Sequence, residues 1–226
     1  MNRELVIQRK KEFLETMNNR YATRKFDATK KIPQEDFEFI LETGRLSPSA
    51  TGLEPWKFVV LQNEEIRNAI GENSFGTKGQ MATASHIVVY YVRKDIYPTS
   101  DYTDYILTQV RKMPEDQIET IKEMYTNFHK DDIKILGNER ATIDWGSKQI
   151  YIAMGNMMTA AAHIGIDSCP LEGFSYDFAR ELLKEKGLIN PDTYDISVIC
   201  AFGYREEEPK RAKSRRTMEE VVEYIK

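Results

Sequence analysis

Histidine and cysteine, the residues most used as nucleophiles, bases and transition-metal ligands, are few in this sequence. Three histidines, His86, His129 and His163, stand far apart and none falls in a spacing such as H-E-x-x-H, so no metal centre is expected. His86 opens an apolar run and His163 closes one, positions that suit structural roles. Cys169 and Cys200 each lie within an apolar segment, which reads as two reduced, buried thiols and not as a disulfide framework. The chain has no G-x-G-x-x-G, P-loop, G-x-S-x-G or C-x-x-C, which removes a Rossmann fingerprint, a Walker site, a hydrolase elbow and a thioredoxin-type redox pair. What remains is dispersed. Arg20 and Arg24 flank Tyr21-Ala22-Thr23, Ser47-Pro48-Ser49-Ala50 precedes Pro55-Trp56, Lys148-Gln149 opens an apolar stretch, and Pro170-Leu171-Glu172-Gly173 is turn-like. A late cationic run, Lys210, Arg211, Lys213, Arg215 and Arg216, follows the acidic Glu206-Glu207-Glu208. Taken singly, such arginines are ordinarily surface ion-pair residues and such a run a solvated tail.

The elements that must position these groups follow from the hydrophobic pattern. With 226 residues, 41% of them hydrophobic, the chain can build one substantial core, and no repeat or linker divides it. No apolar run approaches the roughly 18 to 20 residues of a membrane span, and Met1 to Lys11 lacks a signal-peptide core, so a cytoplasmic protein that binds no membrane is expected. A net charge of -4 argues against general nucleic-acid binding. Helical spacing appears in Val6, Phe13, Leu14, Met17 and in Phe37, Ile40, Leu41, Gly44. Trp56–Leu61, His86–Val92 and Ile196–Phe202 read as central strands, apolar on both faces. Residues 102–135 form a helical insertion with polar faces, a lid. Ile150–Ile164 is apolar nearly all round, so this helix must be surrounded by protein, with Gly165 as its cap and a final helix through Met218, Val221, Val222 and Ile225. The whole, residues 1–226, reads as one domain of the α+β class with helices layered on both sides of a small sheet.

Arg20-Tyr-Ala-Thr-Arg24-x-Phe26-Asp27, Ser47-Pro48-Ser49-Ala50 with Pro55-Trp56, Lys148-Gln149, Pro170-Leu171-Glu172-Gly173-Phe174 and Lys213-Ser214-Arg215 occur in one order and spacing. In this the chain resembles the oxygen-insensitive, FMN-dependent NAD(P)H nitroreductases, from about Asn19 to Arg216. The resemblance implies a layered α/β/α fold with a small, mostly antiparallel sheet in an intertwined homodimer. It implies an FMN site built from Arg20, Tyr21, Ala22, Arg24, Pro48, Ser49, Ala50, Gln149, Pro170, Leu171, Glu172, Gly173, Lys213 and Arg215.

Within that resemblance, Arg20, Lys213 and Arg215 would clamp the phosphate, whose charge of roughly -1.5 to -2 suits guanidinium forks. Arg24 would approach the pyrimidine edge of the ring, where charge collects on reduction. A backbone N–H at Glu172 would meet flavin N5, and no side chain is named as certainly catalytic. Gln149 would reach the flavin or its ribityl chain, and Ser49 would come from the partner subunit. Tyr125 would gate the pocket. The implied reaction is ping-pong: NADH or NADPH reduces the flavin, and a small nitroaromatic or quinone then takes two electrons.

Several positions depart from the common pattern. Ala22 and Ala50 stand where relatives often carry serine, and Gly52 and Glu54 where Asn and Gln often flank the Pro-Trp pair. Thr77, Lys78 and Gln80 are read as a loop that elsewhere supplies an Asn and a Lys. Enone reduction, dehalogenation or free-flavin reduction on the same scaffold are alternative activities. An interaction module with no catalysis is a rival of another kind.

Overall fold

A computed structural model describes residues 2–226. In chain order the elements are α1 (Arg3–Asn19), α2 (Gln34–Arg45), β1 (Trp56–Val60), α3 (Glu64–Glu72), α4 (Lys78–Thr83), β2 (His86–Arg93), α5 (Asp101–Tyr105) and α6 (Glu115–Asn127). There follow α7 (Glu139–His163), β3 (Asp167–Leu171), α8 (Tyr176–Glu185), β4 (Tyr194–Gly203) and α9 (Met218–Val221). The strands form one antiparallel sheet in the order β1-β2-β4-β3. Among the described residues no helix is long and apolar enough to cross a membrane.

The unbroken apolar run of β2 has a direct cause, because side chains alternate across a strand and both faces of this one are covered. Ile87, Val89 and Tyr91 pack with Ile66 and Ile70 of α3 and Ala179 and Leu183 of α8. Val88, Tyr90 and Val92 pack with Phe37 and Ile40 of α2 and Ile150, Met154 and Met157 of α7. The α2–α7 approach depends on Gly44, where a Cβ would stand 2.5 Å from Met157 Sδ. A third cluster, Leu53, Ile96, Ile106, Ile135 and Trp145, anchors the helical segment that contains α5 and α6.

Five readings of the sequence need correction. Trp56–Val60 is an edge strand, not a central one, and Val60 is 38% exposed. The other edge is β3, which the sequence hides because Pro170 breaks the strand signal; a proline is tolerated there because an edge strand pairs on one side only. Thr77 to Gln80 is no loop: Thr77 precedes α4, which carries Lys78 and Gln80. The last helix stops at Val221, since Val222 takes extended backbone (φ -128°, ψ 127°). The helix read as Ile150–Ile164 begins eleven residues earlier, at Glu139, and is capped where expected by Gly165 at φ 80°.

Burial along α7 is one-sided. Ala153, Met157 and Ala161 face the sheet cluster, with Ala161 at 0% exposure, whereas Tyr151, Ile152 and Asn156 are exposed and a Cβ at Gly155 would meet nothing within 4 Å. Helix α1 buries no residue at all, leaving Leu5, Ile7, Phe13 and Leu14 exposed.

Candidate functional site

The chain leaves α1 at Arg20, whose backbone N–H caps the helix on Thr16, and runs extended along the β3 edge. Ala22 bridges Ser168, Thr23 N–H donates to the Ser168 carbonyl at 3.3 Å, and Phe26 bridges Arg205. This lacing sends Thr23 and Phe26 inward and leaves Ala22 and Arg24 outward. The segment after β4 returns alongside, and Lys213 Nζ donates to the Met17 carbonyl at the end of α1. Segments 18–25 and 205–215 thus enclose a cleft of ≈ 920 Å³.

Charge in this cleft is unbalanced. The nearby acids are largely engaged elsewhere: Asp167 holds Arg205 through both carboxylate oxygens at 2.6–2.9 Å, Glu208 meets the same guanidinium at 3.1 Å, and Glu206 pairs with Lys25 at 2.7 Å. Among the described residues no carboxylate pairs with Arg20, Arg24, Lys213 or Arg215. Partial burial and the charges of Arg20 and Arg215 hold the Lys213 ammonium below its ordinary value. A cluster of mutually repelling cations around a concave surface is what an anion such as a phosphate would balance.

The Pro170–Gly173 segment continues from the β3 edge along which residues 22 and 23 are laced. Phe75 N–H donates to the Gly173 carbonyl at 2.7 Å, Ser74 bridges Phe174, and Ser175 N–H donates to the Asn73 carbonyl at 3.1 Å. Gly173 closes against this segment, since a Cβ there would lie 3.7 Å from Gly76 N. The Glu172 and Gly173 N–H groups, past the last ladder residue, donate to nothing among the described residues. Behind them Gln80 reaches Cys169 Sγ at 3.8 Å. Burial pushes the Cys169 thiol up despite Gln80, Arg24 and Arg20, so it stays protonated.

Pro48, Ser49, Ala50, Gln149 and Tyr125 gather in a second place, which among the described residues no hydrogen bond joins to the lining of the cationic cleft. Ser49 Oγ accepts from Glu54 N–H at 2.9 Å, and Ala50 N–H donates to Gln149 Oε1 at 2.9 Å. The other end of the Gln149 amide donates to the Trp145 carbonyl at 3.0 Å, so in this chain Gln149 acts as a strut for the loop. Tyr125, 5% exposed, donates its hydroxyl to the Thr51 carbonyl at 3.0 Å while Arg111 donates to that hydroxyl at 2.9 Å. Beside it lies a cavity of ≈ 570 Å³ bordered by Thr51, Met124, Tyr125 and Phe128. The loop is strained: Thr51 (φ 56°) and Glu54 (φ 46°) join Gly52 (φ 66°) in the left-handed region, at a cost of about 1–3 kcal/mol for each non-glycine residue.

Thr51 and Arg111 meet the Tyr125 hydroxyl without having been singled out by sequence, whereas Thr77 and Gln80, read there as part of a ring-side loop, sit at the start of α4 beside Gly173 and Cys169. The histidines stay structural in this geometry: His86 stacks on Phe37 at 3.9 Å between ring centroids, and burial holds both His86 and His129 below the ordinary value.

Comparison with known proteins bears on the whole of this arrangement. The model of the nitroreductase family matches residues 17–204. A Bacillus subtilis (strain 168) protein, YfkO, named provisionally as an NAD(P)H nitroreductase, is 50% identical over 218 residues, 96% of this chain and 98% of that one. Among solved structures, the nitroreductase ydfN of Bacillus subtilis, also provisionally named, superposes with a TM-score of 0.78 at 20% identity, covering 95% of this chain and 99% of the other. A provisionally named nitroreductase of Exiguobacterium sibiricum 255-15, solved in complex with FMN, superposes with a TM-score of 0.74 at 22% identity over 94% and 97% of the two chains. On the family match and the 50% identity, this chain belongs to the nitroreductase family.

Proposed function

We propose that the chain is an FMN-dependent oxidoreductase that takes two electrons from NADH or NADPH and delivers them to small electron-poor acceptors such as nitroaromatics and quinones. The observation that carries this reading is the unbalanced set of Arg20, Lys213 and Arg215 around the cleft, which fits the dianionic phosphate of FMN. The names of the relatives, an NAD(P)H nitroreductase and a homologous fold in complex with FMN, point the same way.

Bound FMN would supply hydride chemistry at N5 of its ring. The chain's own residues do the remainder. Arg20, Lys213 and Arg215 bind the phosphate, and Arg24, exposed beside Ala22, offers a cation to the ring edge, with Tyr21 and the Pro170-Leu171 backbone forming the floor. The free N–H groups at Glu172 and Gly173 are donors for N5. Donor and acceptor occupy one pocket in turn, which makes the kinetics ping-pong.

Pro48, Ser49 and Ala50 complete the site of a second copy of the chain. The separation of the two residue groups, and the exposed apolar faces of α1 and α7, support a homodimer with two equivalent sites at its interface. The segment 102–135 acts as a lid over the acceptor, with Tyr125 at its inner edge.

The test is the visible spectrum of the purified protein before and after anaerobic NADH or NADPH. A yellow protein, bleached by either donor and releasing free FMN on denaturation, is expected. A colourless protein indifferent to saturating FMN would overturn the reading. A panel of nitroaromatic, quinone, enone and free-flavin acceptors then assigns the substrate class.

A further inference from the structure

Residue 172 is held in an unusual way. Its neighbours are fixed through the backbone, Leu171 by the ladder to Ile199 and Gly173 by the bond from Phe75 N–H, while the peptide between them makes no backbone hydrogen bond. Among the described residues the one tie on residue 172 is its side chain, which accepts a hydrogen bond from the Tyr151 hydroxyl. Tyr151 stands on a rigid platform, because its neighbours Ile150, Ala153 and Met154 are buried in the sheet cluster, yet Tyr151 itself is 39% exposed. Burial first, and then the Glu172 carboxylate, push the Tyr151 phenol well above its ordinary value, so it remains a donor throughout the neutral range.

We propose that Tyr151 is a positioning residue which, through the Glu172 carboxylate, fixes the plane of the 172–173 peptide and so aims its free N–H, that of Gly173, at the reacting edge of the bound cofactor. This rests on the FMN reading above. Glycine at 173 makes such a strut necessary, because without a Cβ the preceding 172–173 peptide can rotate about the Gly173 N–Cα bond.

Tyr151→Phe removes one hydroxyl and keeps the ring. In the FMN-loaded protein the melting temperature should move by less than about 3 °C. The rate of reduction at saturating NADH or NADPH should fall roughly ten- to a hundredfold with KM unchanged, and the visible band of the bound flavin should shift. Glu172→Gln keeps an acceptor oxygen and should rescue both readouts, whereas Glu172→Ala should reproduce Tyr151→Phe, and the double variant should be no worse than either single one. In the flavin-free protein the NMR order parameters of the Glu172 and Gly173 amides should drop in Tyr151→Phe from about 0.85 to below about 0.6. A variant with the wild-type spectrum and rate, or with unchanged order at 172–173, would overturn the proposal. A wild-type protein that binds no FMN would instead overturn the cofactor reading, and the order parameters would still decide the strut.

Discussion

Arg20→Met tests the cationic cleft in two opposite directions. The guanidinium has no carboxylate partner among the described residues and adds to the repulsion felt by Lys213. Without cofactor, its removal relieves repulsion and takes away no ion pair, so the flavin-free protein should melt at the same temperature or slightly higher. With cofactor, a charge-assisted bond to phosphate is lost, worth about 1.5–3 kcal/mol, which corresponds to a roughly 10- to 100-fold weaker Kd for FMN. The lower end is expected, because Lys213 and Arg215 remain and face one fewer like charge. Riboflavin lacks the phosphate and should lose little. Raising the salt concentration should weaken FMN binding by wild type more than by the variant, since the screened charge is already gone. Fluorescence titrations with FMN and riboflavin at two salt concentrations measure all of this. Equal losses for the two flavins, or a destabilised flavin-free protein, would place Arg20 outside any phosphate site.

Two further outcomes concern assembly and pH. A Cβ at position 155 would meet nothing within 4 Å, so Gly155→Arg should fold as well as wild type, or better by up to about 1 kcal/mol from helix propensity, while light scattering reports loss of the dimer and absorbance reports loss of flavin; a variant that remains dimeric removes the exposed face of α7 from the interface. Burial, with Arg67 and Lys31 adding, lowers His86 from 6.5 to about 4, so below pH 6.5 the unfolded chain takes up a proton that the folded chain refuses until about pH 4. The stabilisation is complete above pH 6.5 and lost through that window. Urea midpoints should therefore show wild type losing about 2 kcal/mol more than His86→Phe between pH 7 and pH 4.5, and equal losses would refute it.

The parts of the fold that could be read from sequence are those where one physical pattern acts alone. The β2 and β4 runs are apolar because both faces are covered, and the long apolar helix and its Gly165 cap follow from packing and backbone freedom. The misreadings arise where two patterns compete. Pro170 silences a strand signal that edge placement rescues, and short α4 carries two glycine-flanked polar residues that look like a loop. Composition alone cannot tell which side of an apolar helix meets the sheet: Ala161 lies in the core, and Gly155 lies outside. At the site, Arg20, Arg24, Lys213 and Arg215 could be proposed from charge and order. The Tyr151–Glu172 bond could not, since it joins side chains 21 residues apart through the geometry of β3 against α7.

The separation of the residue groups has an energetic consequence. A single chain carries a strained loop at Thr51 and Glu54, a cleft of like charges, and two exposed apolar helix faces. Each is unfavourable in isolation, and each is offset by a different partner in the proposed assembly: phosphate for the charges, a second chain for the helix faces, and that chain's cofactor for the strained loop. In that proposed assembly the loop of one chain would serve the cleft of the other, so neither dimerisation nor FMN binding would complete a site alone, and the two equilibria would share their stabilisation. Free FMN at about 100 times its Kd would add about 2.7 kcal/mol per site to a chain already dimeric, but less to one whose assembly is broken, because the ligand must then also order the missing wall. In the proposed assembly the cofactor would thus act as a structural element between subunits, offsetting features that are unfavourable in a single chain.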